Sequence, residues 1–165
     1  MSILVACIGN IFEGDDAFGC EVARVLMQRA SVPEVKIVDF GIRGLDLTYA
    51  LLDAPELTIF VDAISRGETP GTLYTIEPDL DNLGSSADAT VDAHSMDPLQ
   101  VLRTAKRMGG RLGRILLVGC EPADLGGEDG RMGLTEPVAA AIEEAARMVE
   151  SLIAHELQHQ LQETT

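Results

Sequence analysis

Short apolar runs at residues 3–8, 57–62 and 115–118 alternate with stretches of helical periodicity, and this alternation constrains the fold more than any other feature of the chain. A strand that is apolar at nearly every position, rather than at every second one, must be covered on both faces. Helices on both sides of a mostly parallel sheet meet that demand, so an α/β fold is expected. Two less apolar segments, 35–39 and 72–76, complete five strand candidates. The fourth follows the third after only Ala63 to Gly71, too little chain for a helical crossover, so it should run antiparallel. Helices are expected at about 17–30, 44–53, 97–108 and 135–160. The third opens on Asp97-Pro98, a cap followed by a first-turn proline, and stops at Gly109-Gly110. With 165 residues, no internal repeat and no linker, residues 1–165 should form one domain, its tail fraying from about 158 to 165.

The formal net charge of −15 excludes the function classes that need basic patches, nucleic-acid binding and attachment to anionic membranes. Three cysteines, Cys7, Cys20 and Cys120, are odd in number and have no paired spacing, which fits free thiols in a reducing cytosol. The first strand begins immediately after Met1, leaving no room for a signal peptide, and no apolar run approaches the ~20 residues of a membrane helix. A cytoplasmic protein, and a monomer, is the expectation.

Residues Gly9 to Asp16 join the first strand to the first helix, and their two glycines are spaced as in a phosphate-cradling P-loop. Asp15 and Asp16 stand where that motif needs Lys and Ser or Thr, so this loop should repel phosphate and attract a cation. In open α/β sheets ligands sit beyond the carboxyl ends of the strands. Asp16 follows strand one, Asp39 ends strand two and Asp62 ends strand three, so all three share one edge if strand one lies between the other two. His94 ends the long acidic loop 78–94, just before a helix whose positive end would keep the imidazole neutral and able to ligate. Two carboxylates and an imidazole suit a borderline divalent ion such as zinc or nickel. Plainer roles compete: Asp15 or Asp16 as a helix cap, Asp39 as turn chemistry before Phe40-Gly41, His94 as a surface residue. Asp62 is harder to explain away, because a carboxylate closing a buried strand costs stability unless it is paired or ligating.

The ordered set Gly9-Asn10 to Asp15-Asp16, Asp39-Phe40-Gly41-Ile42-Arg43-Gly44, Phe60-Val61-Asp62-Ala63, Asp92-Ala93-His94, Val118-Gly119-Cys120-Glu121-Pro122-Ala123-Asp124 and Gly133-Leu134-Thr135-Glu136-Pro137-Val138 resembles the [NiFe]-hydrogenase maturation endopeptidases along most of the chain. That resemblance implies a three-layer α/β/α sandwich of the phosphorylase/hydrolase-like kind. Its five-stranded mixed sheet would be ordered 2-1-3-5-4, with strand four antiparallel. It further implies an endopeptidase that clips a short C-terminal peptide from a hydrogenase large-subunit precursor once its nickel has been inserted. The family's metal-contacting positions fall on Asp16, Asp62 and His94, the first being a position where the family carries Glu or Asp. Nickel would then arrive with the precursor rather than reside in the protease, and zinc or cadmium would serve as surrogate ions in vitro. Asn10, Asp39, Gly41, Arg43 and Glu121 would handle the substrate.

Three rival readings have their own residues. His155-Glu156-Leu157-Gln158-His159 matches a zinc-protease helix motif, but only six residues follow it and no downstream third ligand exists. A response-regulator-like module would also place acids after strands one and three, but it needs a lysine after strand five, where this chain has Gly119-Cys120-Glu121-Pro122. A thiol protease would have to use Cys120, since Cys7 and Cys20 fall inside a buried strand and a helix.

Overall fold

The computed structural model describes residues 2–29, 32–83 and 96–164. Along the chain run β1 (Ile3–Ile8), α1 (Phe18–Met27), β2 (Val35–Gly41), α2 (Gly44–Leu52), β3 (Leu57–Ala63), β4 (Leu73–Ile76), α3 (Pro98–Arg107), β5 (Arg114–Cys120) and α4 (Glu136–Glu163). The strands form one sheet in the order β2-β1-β3-β5-β4. β1 pairs in parallel with β2 and β3, β3 pairs in parallel with β5, and β4 alone runs antiparallel, against β5. The order differs from the 2-1-3-4-5 arrangement of response regulators, because β4 comes back as an antiparallel edge instead of crossing over.

Strand alternation divides the core into two layers. Ile3, Val5 and Cys7 of β1 face the side covered by α1 and α4, together with Leu57, Ile59 and Val61 of β3. Leu4, Ala6 and Ile8 face the opposite side, where Leu47 and Leu51 of α2 meet Val101, Leu102 and Ala105 of α3. The three-layer sandwich therefore follows from strands that are apolar on both faces. α3 begins as expected, with Asp97 Oδ1 accepting from the Leu99 N–H at 2.9 Å and Pro98 in the first turn.

Two boundaries differ from the sequence reading. α1 starts at Phe18 as expected, directly after a 3₁₀ turn, Gly14–Ala17, but stops at Met27 rather than at about residue 30. At the other end α4 continues to Glu163, through the tail expected to fray. Leu157 packs against the core, and Gln160 Nε2 donates to Glu156 at 3.1 Å and to Glu56 at 3.0 Å, which ties that Gln-rich turn to the start of β3. Among the described residues, no helix is long and apolar enough to cross a membrane.

Candidate active site

The parallel strands β1 and β3 end side by side, and two glycines let the following turn fold down onto them. A Cβ on Gly19 would lie 2.1 Å from the Ile8 carbonyl oxygen and 2.5 Å from that of Val61, so only glycine admits the first turn of α1 against both strand ends. A Cβ on Gly9 would lie 2.1 Å from the Asp16 carbonyl oxygen, closing the same fold-back from the other side. The 3₁₀ turn is thereby pressed against β3, and Asp16 comes within electrostatic reach of Asp62.

Asp62 is 7% exposed, and burial holds its carboxyl well above the usual carboxylate range. The negative charges of Asp16 and Asp97 push in the same direction, and a bond from the Ala63 N–H offsets only part of it. Asp16 is also raised, first by burial and then by Glu13, against one stabilising bond from the Asn10 N–H at 3.1 Å. Among the described residues neither Asp16 nor Asp62 enters a salt bridge. Two carboxyl groups so placed disfavour ionising together, and a cation beside them would relieve that repulsion. Asp97 is the member of this acidic group that the sequence offered only as a helix cap; its nearness to Asp62 arises from packing and leaves no local signal.

Asp15, the adjacent residue, is fully buried and does the opposite job. Its Oδ2 accepts from the backbone N–H groups of Ala123 and Asp124 at 2.8 and 3.0 Å, and its Oδ1 from that of Thr135 at 2.8 Å. The Thr135 hydroxyl donates to both oxygens. Burial alone would raise this carboxyl, but these bonds outweigh it and hold Asp15 below its ordinary value. Neither acid caps a helix: the starts of the 3₁₀ turn and of α1 have no side-chain cap. Asp15 instead staples the β1–α1 loop to the β5–α4 loop, which the Glu13–Arg131 bridge and the Arg131 N–H to Phe12 carbonyl bond reinforce.

The remaining expected site residues divide. Asp39 performs the turn role, its Oδ1 accepting from the Gly41 N–H at 2.9 Å, and the Gly41 carbonyl receives the Gly9 N–H at 3.1 Å. Arg43 is bound within its own loop, to the carbonyls of Phe40 and Asp39 and to the Asp46 carboxylate. Asn10 orders the β1–α1 loop through Oδ1, which accepts from the Phe12 N–H, while its N–H supports Asp16. Glu121, expected at the substrate, is buried with its carboxylate engaged by the N–H groups of Arg66 and Gly67 and the Tyr74 hydroxyl. These bonds hold its carboxyl low despite burial, and they pin the β3–β4 connection. His94 lies outside the described residues.

Among the described residues no three His, Cys, Asp or Glu side chains are grouped to hold a metal ion, and the His155–His159 segment is no exception. It lies at the opposite edge of the sheet from Asp16 and Asp62. There Glu156 pairs with Arg114 at 3.6 Å and His159 Nδ1 lies 3.6 Å from Glu163, so the zinc-protease alternative does not assemble. Cys7, Cys20 and Cys120 are all buried, and burial pushes the thiols of Cys20 and Cys120 up to about 12 and that of Cys7 higher still. They stay protonated at neutral pH and are not nucleophiles.

This arrangement has relatives. The HycI hydrogenase maturation protease model matches residues 20–152. The hydrogenase expression/formation protein HupD of Rhizobium leguminosarum bv. viciae is 36% identical over 154 residues, covering 90% of this chain and 74% of that protein. The solved structure of the hydrogenase maturating endopeptidase HybD from E. coli superposes with a TM-score of 0.76 at 27% identity, covering 94% of both chains. That of the [NiFe] hydrogenase maturation protease HycI from Thermococcus kodakarensis gives 0.69 at 31% identity, covering 95% of this chain and 92% of the other. By sequence and by fold alike, the chain belongs to the hydrogenase maturation protease family.

Proposed function

We propose that this protein removes a short C-terminal peptide from the nickel-loaded precursor of a [NiFe]-hydrogenase large subunit. The substrate's own nickel is the recognition element. The observation that carries the reading is the apposition of Asp16 and Asp62. A pair of carboxyl groups that cannot both ionise comfortably is relieved by a divalent ion, and gains little from a neutral ligand. His94 is the third ligand in this proposal. An incomplete set of ligands binds a free ion weakly, but it completes the coordination of an ion that another protein already holds. Cleavage then waits for nickel insertion, because an empty precursor presents nothing for Asp16, Asp62 and His94 to grip. Zinc or cadmium would occupy the same ligands in vitro, as surrogates for the delivered nickel. The proposed reaction takes place in the cytoplasm.

The test is to mix the purified protein with nickel-loaded and nickel-free precursor and weigh the products. A C-terminally shortened subunit in the loaded sample alone is the expected result. Equal cleavage of the nickel-free precursor would overturn the gating, and no cleavage of either would overturn the peptidase reading.

A further inference from the structure

Six of the eleven large hydrophobic side chains exposed among the described residues lie in the segments that follow the carboxyl ends of the parallel strands: Ile11, Phe12, Ile42, Leu125 and Met132 in loops and Leu45 in the first turn of α2. Scattered exposed hydrophobics need no explanation, whereas a cluster bordering an active site marks a contact surface. Phe12 at 63% and Met132 at 69% are the most exposed of those on the two loops that Asp15 staples together. The Phe12 carbonyl accepts the Arg131 N–H at 3.1 Å, and the Arg131 carbonyl accepts the Gly14 N–H at 2.8 Å. Phe12 and Met132 therefore flank the Glu13–Arg131 bridge on a bonded scaffold rather than standing on free loop tips. A preorganised surface of this kind loses little conformational freedom on binding.

We infer that this ledge is the docking surface for the body of the hydrogenase precursor, engaging the protein before or as its metal meets Asp16 and Asp62. The inference rests on the proposed function for the identity of the partner. Charge selects the occupant. Glu13, Glu128 and Asp129 stand on the same loops, Asp124 is joined there by Arg131, and the whole chain carries −15. A second copy of this chain would bring an equal negative charge to the contact and be repelled. The fitting partner is apolar at the centre of its contacting face and basic at its rim. The ledge also separates two tasks: apolar contact supplies affinity for the precursor whatever its metal content, and the acidic pair reads the metal.

Binding of nickel-free and nickel-loaded precursor is to be measured for the wild type, for the double variant Phe12→Ser with Met132→Ser, and for the conservative pair Phe12→Leu with Met132→Leu. Thermal unfolding confirms that each is folded. The serine variant should weaken binding of both precursor forms by about 10-fold or more while leaving the rate at saturating precursor unchanged, and the leucine pair should restore most of the affinity. Unchanged affinity in the serine variant, with processing of dilute precursor as fast as wild type, overturns the ledge and leaves the peptidase reading intact. Ledge-dependent binding of precursor without cleavage by the wild type overturns the peptidase reading and leaves the ledge. A wild-type dimer that the serine variant dissociates, with precursor affinity unchanged, assigns the ledge to a second copy and overturns the inference.

Discussion

At Asp15 the fold surrounds a carboxylate with N–H and O–H donors from Ala123, Asp124 and Thr135 and holds it ionised. One residue on, Asp16 meets a single backbone donor and the negative charge of Glu13, and Asp62 is more deeply buried, with one backbone donor against the negative charges of Asp16 and Asp97. Identical chemistry in adjacent positions thus serves opposite ends. The saturated carboxylate fastens two loops, and the frustrated pair is left short of positive charge. A residue satisfied by its own protein has nothing to offer a ligand, whereas an unsatisfied one does; stability given up at such a position is the usual accompaniment of a functional site.

Substitution separates the two regions. Asp16→Asn or Asp62→Asn should each lower processing of nickel-loaded precursor by on the order of 10³-fold, since under the proposed function each removes a ligand for the substrate's metal. Product masses after timed incubation check this, and wild-type conversion in either variant would remove that residue from the site. Asp15→Ala should act first on the fold. It leaves the Ala123, Asp124 and Thr135 donors unpaired and should cost on the order of 3 kcal/mol, a drop in Tm of ~6–12 °C for a chain of this size. Differential scanning calorimetry measures it. A loss of processing in Asp15→Ala with unchanged Tm would erase the distinction drawn between the two acids.

The stability effects should also have opposite signs with pH. Asp15 is held below its unfolded value of 3.8, so its contribution is complete above that value and is lost as pH falls through the lower folded value. Asp62 is held above the same unfolded value, so its neutral form favours the fold, and that contribution is lost as pH rises through the higher folded value. Asp62→Asn should therefore raise Tm by a few degrees at neutral pH in the presence of a chelator, while it abolishes processing. A lowered Tm would mean that Asp62 has a partner stabilising its charge. The smallest effect is expected at the far edge of the sheet: His155→Ala with His159→Ala should leave the processing rate within about twofold and Tm within ~1 °C, as exposed residues usually do.

Much of this was legible in the chain. Strands apolar on both faces dictated a sheet covered on both sides, and the short connection Ala63 to Gly71 was enough to make β4 antiparallel. Asp62 was conspicuous because a carboxylate at the end of a buried strand needs a reason. Asp39 before Phe40-Gly41 read as turn chemistry and is bonded so. What local pattern could not carry was partnership across the fold. The donors to Asp15 lie 108 to 120 residues away, so it read as a helix cap. Glu121 sits at the right edge of the sheet for substrate, but donors from a loop 54 and 55 residues earlier occupy it. The tail of α4 looked too polar to hold a helix, and the bonds of Gln160 to Glu56 and Glu156 lie outside any local window of apolar periodicity.

The claim on which the site depends is that Asp16 and Asp62 confront each other across the ends of β1 and β3. Carboxyl-carbon NMR titration of Asp62, in metal-free wild type and in Asp16→Asn, measures this directly. Mutual repulsion predicts a midpoint well above 3.8 in the wild type that falls when Asp16 loses its charge. A midpoint in the ordinary carboxylate range, or one indifferent to Asp16→Asn, would contradict it.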